Sequence, residues 1–167
     1  SPEGPNIGLV TYLANYARVC CEMGEYTEAI KECQVSLIQE PGFDYYLQLG
    51  RALAGDRQYQ SAADHFVEAI KRNAGQTSAH INLASLLIEL KDYAQAEEIL
   101  NQALAVNPNC VSTLNSLGGL YNRTGSYRRA LDCLNLAIDL HPKEAITHIN
   151  LAETCRLLGD PELACVH

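Results

Sequence analysis

The sequence has no run of more than two basic residues; Lys71-Arg72 and Arg128-Arg129 are the longest. Twelve basic side chains stand against 20 acidic ones, a formal net charge of −8. Phosphate backbones and anionic membranes need clustered positive charge, so the composition argues against nucleic acid as a partner. No apolar stretch approaches the roughly 18 residues of a membrane-spanning helix, which argues against membrane insertion. No segment alternates apolar and polar residues with a period of two, so no strands are expected. Catalytic and metal motifs are absent too. The sequence contains no Cys-x-x-Cys, no His-Glu-x-x-His, no phosphate-binding Gly-x-x-x-x-Gly-Lys and no Gly-x-Ser-x-Gly turn. The reading is therefore non-enzymatic, with no cofactor and no metal.

What the chain does have is a period. Tyr26, Tyr59, Tyr93 and Tyr127 follow one another at steps of 33 or 34 residues, each with an alanine three residues on: Ala29, Ala62, Ala96 and Ala130. Periods of this length mark stacked repeats. Aligned on the tyrosines, the units run over about 10–42, 43–76, 77–110 and 111–144, and a partial fifth covers 145–167; residues 1–9 read as a flexible leader. In the third unit, Ile81, Leu83, Ala84, Leu86, Leu87 and Leu90, then Tyr93, Ala96, Ile99, Leu100, Ala103 and Leu104, trace two amphipathic helices. Turns fall at Gly24-Glu25, Asp56-Arg57-Gln58, Lys91-Asp92 and Gly125-Ser126, between the two helices of each unit. Pro41, Pro108 and Pro142 close second helices. The second unit has Asn73-Ala74-Gly75 instead, where a left-handed closing residue is expected.

Small residues recur where the paired helices should meet. Ala17, Gly50, Ala84, Gly118 and Ala152 share one first-helix column, and Ala29, Ala62, Ala96, Ala130 and Ala164 one second-helix column. They let the helix axes approach closely. The seven cysteines (Cys20, Cys21, Cys33, Cys110, Cys133, Cys155 and Cys165) are odd in number and scattered. They read as small buried hydrophobes in a reducing compartment, placing the protein in the cytoplasm with the nucleus as the alternative. His80 and His148 occupy one column and read as packing substitutes for an aromatic. Glu97-Glu98 reads as part of a solvated face. Asp160-Pro161-Glu162 is a helix start, and no polar capping helix follows it; the expectation is a piece of a longer repeat protein.

The small residue in helix one, Gly-x-Tyr-x-x-Ala at the turn and the proline after helix two resemble the tetratricopeptide repeat. Met23-Gly24-Glu25-Tyr26-Thr27-Glu28-Ala29 and Thr124-Gly125-Ser126-Tyr127-Arg128-Arg129-Ala130 match best; Arg57 and Lys91 depart from the turn glycine, and Pro161 from the tyrosine. The resemblance covers nearly all of 9–167. It implies an all-α fold, a right-handed superhelical solenoid of antiparallel helix pairs with four full units and a truncated fifth. It also implies that first helices line a concave groove that binds protein.

On that basis one groove column holds Asn15, Gln48, Asn82, Ser116 and Asn150. Carboxamides both donate and accept, which suits the backbone of an extended peptide. The column is similar to the asparagine ladder of O-linked N-acetylglucosamine transferase repeats and to the peptide-gripping asparagines of peroxisomal import receptors. Asn-Leu-Ala steps are common in this repeat, so a neutral groove remains the alternative. Neighbouring columns hold Arg18, Arg51, Ser85, Gly119 and Glu153, and Ala14, Leu47, Ile81, Asn115 and Ile149. They suggest a ligand with an acidic end near Arg18 and Arg51 and an apolar anchor near Leu47 and Ile81. The lysines of a clamp for heat-shock chaperone tails are missing from both possible windows, which argues against that partner. The expected function is a protein-interaction scaffold gripping an extended segment. The alternatives are the recognition arm of a larger, glycosyltransferase-like enzyme, or a module that self-associates through its repeat ends.

Overall fold

The computed structural model describes residues 7–35 and 42–159. Among these the regular elements are nine helices: α1 (Ile7–Met23), α2 (Tyr26–Val35), α3 (Phe43–Gly55), α4 (Tyr59–Arg72), α5 (Ser78–Glu89), α6 (Tyr93–Val106), α7 (Val111–Arg123), α8 (Tyr127–Leu140) and α9 (Ala145–Leu158). The all-α expectation holds, and each repeat tyrosine is the first residue of a second helix. Residues 7–9 are helical, so α1 begins inside the stretch read as a leader. Pro41, the helix start at Asp160 and the positions of Ala164 and Cys165 lie outside the described residues. The chain divides into two compact units, Ser1–Asn82 and Leu83–His167, with the boundary inside α5.

The four turns within helix pairs close in the same way. The residue entering the turn has positive φ: 79° at Gly24, 63° at Arg57, 64° at Lys91 and 76° at Gly125. The next amide then reaches back five residues: Glu25 N to Cys20 O and Gln58 N to Leu53 O, Asp92 N to Leu87 O and Ser126 N to Tyr121 O, all 2.8 Å. This hydrogen bond pairs a carbonyl that the helix end would leave open. Glycine enters the left-handed region freely, whereas Arg57 and Lys91 do so against a Cβ clash. At Lys91 the following residue contributes a cap, with Asp92 Oδ1 accepting from Gln95 N at 3.2 Å.

The expected left-handed closure after α4 does not form. Asn73 keeps a negative φ (φ −151°, ψ 86°), and its Oδ1 accepts from Gly75 N at 3.1 Å. Asn107, 34 residues on, repeats this after α6, with φ −137° and a 3.2 Å bond to Asn109 N. An asparagine that bonds the backbone two residues ahead turns the chain without leaving the ordinary φ range.

In the first unit α1 packs on α2, α3 on α4, and α3 also lies against α1 and α2. In the second unit α7 packs on α8, α6 on α7, and α9 against α7 and α8. Of the small columns, Ala17, Gly50, Ala84 and Gly118, with Ala29, Ala62, Ala96 and Ala130, are buried, whereas Ala152 is half-buried. A Cβ on Gly50 would stand 2.6 Å from Phe66 Cε1, and one on Gly118 2.7 Å from Leu134 Cδ2. Those two glycines are demanded by the large side chains opposite them.

Candidate ligand-binding faces

On the first unit's first helices, Asn15 is exposed and Asn82 half-buried, whereas Leu47 and Gln48 are buried. Arg18 pairs with Glu22 in its own helix at 2.7 Å, and Arg51 donates to Gln48 Oε1 at 3.3 Å. Asn82 Nδ2 donates to Ser78 O at 2.8 Å. Ile81 is half-buried, and of Ala14 only the helical backbone is described.

On the second unit, Ser85, Ile149 and Glu153 are exposed, and Ser116 and Asn150 half-buried. Ser116 Oγ donates to Ser112 O at 2.9 Å, and Glu153 pairs with Arg156 at 2.6 Å. Asn115 is directed inward. Its Nδ2 donates to Thr147 Oγ1 of α9 at 2.9 Å, joining successive first helices, while its Oδ1 is buried without a partner. Gly119, beside Ser116 on α7, has no atom within 4 Å of where a Cβ would stand. Exposed intrahelical ion pairs contribute little, so Arg18 and Glu153 could exchange theirs for a ligand group at small cost.

One constellation escaped the sequence reading. Glu97 of α6 is not simply solvated. Its Oε1 accepts from Tyr121 Oη at 3.0 Å and from Arg129 Nη2 at 2.5 Å, and the guanidinium lies 4.1 Å from the centroid of the Tyr121 ring. Arg129 holds the Glu97 carboxyl below its ordinary range by bonding the charged form. Burial first, and the neighbouring carboxylate second, push the Tyr121 phenol up to about 12. The available signal was a double departure from columns: Glu97 aligns with Ile30 and Leu131, Tyr121 with Leu53 and Leu87.

The titratable groups of the interior are quiet. Burial pushes the Cys33 thiol up to about 12 and raises those of Cys21 and Cys133, disfavouring reactive thiolates. His80 is buried, with Nδ1 unpartnered, and burial lowers its pKa against the raising effect of a hydrogen bond to the Gln76 backbone. His148 Nε2 lies 2.7 Å from Pro142 O. Among the described residues no group of three His, Cys, Asp or Glu side chains could hold a metal ion, and no helix is long and apolar enough to cross a membrane.

Two family models, both described as tetratricopeptide repeat, match residues 53–118 and 145–167, together more than half of the chain. Among curated proteins, anaphase-promoting complex subunit 3 of Schizosaccharomyces pombe is 26% identical over 85% of this chain and 22% of its own length. Tetratricopeptide repeat protein 21B of Xenopus laevis is 30% identical over 79% of this chain and 12% of its own length. A human protein O-mannosyl-transferase is 28% identical over 79% and 15%. The chain thus spans 12% to 22% of the length of these relatives. Among solved structures, MamA from Desulfovibrio magneticus superposes with a TM-score of 0.73 at 22% identity, covering 95% of this chain and 90% of that one. A thermophilic repeat protein of Thermus thermophilus gives 0.80 at 18% identity, covering 94% and 87%. At such identities the structural likeness speaks for the fold, an all-α solenoid of repeats. The period, the shared turn closure, the small columns and these matches agree: the chain belongs to the tetratricopeptide repeat family.

Proposed function

We propose that this chain is a non-catalytic protein-interaction scaffold whose first-helix faces hold an extended peptide segment of a partner. The family supports protein binding in general; the peptide reading rests chiefly on Gly119. A mid-helix glycine costs about 0.5–1 kcal/mol relative to alanine. Packing accounts for Gly50 and Gly118 but not for Gly119, which faces open space. A missing side chain beside Ser116 lets another backbone come close. Asn82 and Ser116 spend donors on carbonyls four residues back in their own helices, bonds that a ligand carbonyl can replace. A hydrogen bond made to the ligand is worth about 0.5–1.5 kcal/mol net, and the intrahelical bond given up for it offsets most of that, so the exchange serves to fit a backbone without sequence reading. Arg18 and Arg51 favour an acidic segment on the first unit; Ile81 adds an apolar contact there. Asn15, Ser85, Asn150 and Glu153 complete the proposed polar lining, with buried Leu47, Gln48 and Asn115 supporting it from behind.

Affinity capture from cell extract with the wild type, an Asn82→Ala/Asn150→Ala variant and a second-helix variant, Gln60→Ala/Gln102→Ala, tests this. Circular dichroism first establishes that all three fold. Partners lost only from the asparagine variant place binding on the first helices; three identical partner lists overturn the reading. A second reading is favoured by the similarity to a protein O-mannosyl-transferase: the chain as the recognition arm of a larger enzyme. A partner set made up of that enzyme's acceptor proteins would distinguish it.

A further inference from the structure

Two carboxamide oxygens of α7 are buried without a donor. Asn115 Nδ2 donates to Thr147 Oγ1 of α9 at 2.9 Å, and Asn122 Nδ2 to Asn150 O of the same helix at 3.5 Å. Each carboxamide thus turns its donor end to α9, and each Oδ1 is left shielded and unbonded. Asn115 is 9% exposed and Asn122 half-buried. A buried acceptor without a donor is costly and calls for a reason. Packing does not supply one. In the other units the Asn115 position holds Ala14, Leu47, Ile81 and Ile149, and the Asn122 position Cys21, Ala54, Ile88 and Arg156. Leu47 with Ala54, and Ile81 with Ile88, fill both places with apolar side chains, so the paired carboxamides are peculiar to α7. Asn115, Gly119 and Asn122 are spaced four and then three residues apart, which sets them on one helix face. Gly119 stands between the carboxamides, with no atom within 4 Å of where its Cβ would be.

We propose that this face takes an arginine side chain of the bound segment, laid over Gly119 with its N–H groups shared between Asn115 Oδ1 and Asn122 Oδ1. The inference rests on the reading that first helices hold an extended segment, and it names the side chain which that segment places on α7. Vacancies that only accept select a group that only donates, and arginine, lysine and tryptophan are such groups. Tryptophan brings one donor for two oxygens. Lysine is a compact point charge, whereas the guanidinium is a flat fork with donors on opposite edges. Positions seven residues apart lie about 10 Å apart along a helix. The two carboxamides narrow that span by turning toward the gap over Gly119, and the 3.5 Å bond from Asn122 is the easier one to give up. Glu153 of α9, in the column of Gly119, adds a carboxylate. It is now paired with Arg156 at 2.6 Å, an exposed pair that exchanges at small cost. The net charge of −8 also favours a cation.

The test pans a phage-displayed library of random dodecapeptides on the wild type, on Asn115→Leu/Asn122→Ile and on Asn82→Ala/Asn150→Ala. Circular dichroism first establishes that the variants fold. If Asn115→Leu/Asn122→Ile does not, Gly119→Leu takes its place, since a side chain there enters open space. None of these substitutions changes the net charge, so the general attraction of basic peptides is the same for all. Peptides selected by the wild type should carry arginine at one aligned position, enriched several-fold over lysine. Asn115→Leu/Asn122→Ile should still select peptides but lose that preference. Peptides with no arginine position, with lysine equally favoured, or with an arginine preference that the variant retains overturn the inference. The reading of the first helices survives those outcomes if Asn82→Ala/Asn150→Ala selects fewer peptides than the wild type. A wild type that selects no peptide above background overturns that reading, and the inference with it.

Discussion

The junction of α2 with α3 and the junction of α6 with α7 use the same columns for opposite chemistry. The first is apolar: Cys20, Ala29 and Ala52 are buried together, with Cys21 and Ile30 against them and Leu53 buried nearby. At the second, Glu97 stands where Ile30 does, Tyr121 where Leu53 does, and Arg129 where Ser61 does. The backbone accommodates both because the helices and turns are closed by local bonds common to all pairs. Junction chemistry is therefore free to vary. An apolar junction gains from area removed from water and is indifferent to register. A charged and hydrogen-bonded one gains less net energy but admits only the geometry that pairs its groups.

The difference can be broken from either side. Leu53→Ala should cost about 2–4 kcal/mol by leaving a cavity in the apolar junction, measured as a lowered urea midpoint with the slope unchanged. Tyr121→Phe, at the equivalent position, should cost about 1–2 kcal/mol, since the buried ring stays while the hydroxyl's bonds to Glu97 and from Arg129 are lost. A loss at Tyr121 as large as that at Leu53 would show that the polar junction is not the weaker one.

The Glu97–Arg129 pair should show a coupling of about 0.5–1 kcal/mol in a double-mutant cycle, reduced by salt because both side chains reach solvent. Its pH dependence has a definite sign. The folded-state pKa of Glu97 lies below the ordinary value of about 4.3. The unfolded chain therefore binds the proton first, and the stabilisation is complete above that ordinary value. It fades as pH falls through the folded-state value. The stability gap between wild type and Glu97→Gln should shrink from about pH 6 to pH 3. An Ile30→Val variant at the apolar junction should show no such change.

The smallest expected effect concerns the turns. Lys91→Gly should raise stability by a few tenths to about 1 kcal/mol, relief of the left-handed strain exceeding the added freedom of the unfolded chain. Gly24→Lys should lose a similar amount. Thermal melts of both variants at one salt concentration would check the pair.

Most of the fold was legible in the residues. The tyrosine period placed the second helices, and Gly24, Arg57, Lys91 and Gly125 marked the turns. The small columns pointed to the helix contacts. The asparagine turn at Asn73 was misread because asparagine serves two closures, one by its own φ and one by its side-chain oxygen. The candidate site was legible only in part. Column membership put Leu47, Gln48 and Asn115 beside Asn82 and Ser116. Their depth depends on how the neighbouring first helix lies, and that angle is not written in spacing. Glu97 was grouped with Glu98 because they are adjacent, yet its partners lie 24 and 32 residues away.

The sequence by itself determined helices, turns and most of the small contact points. These follow from periodicity and from backbone preferences that act within a few residues. Tertiary structure alone decided that Asn115 turns inward to Thr147 and that Glu97 meets Tyr121 and Arg129. Those outcomes depend on which helix comes to lie against which, and burial is a property of neighbours rather than of the residue that is buried.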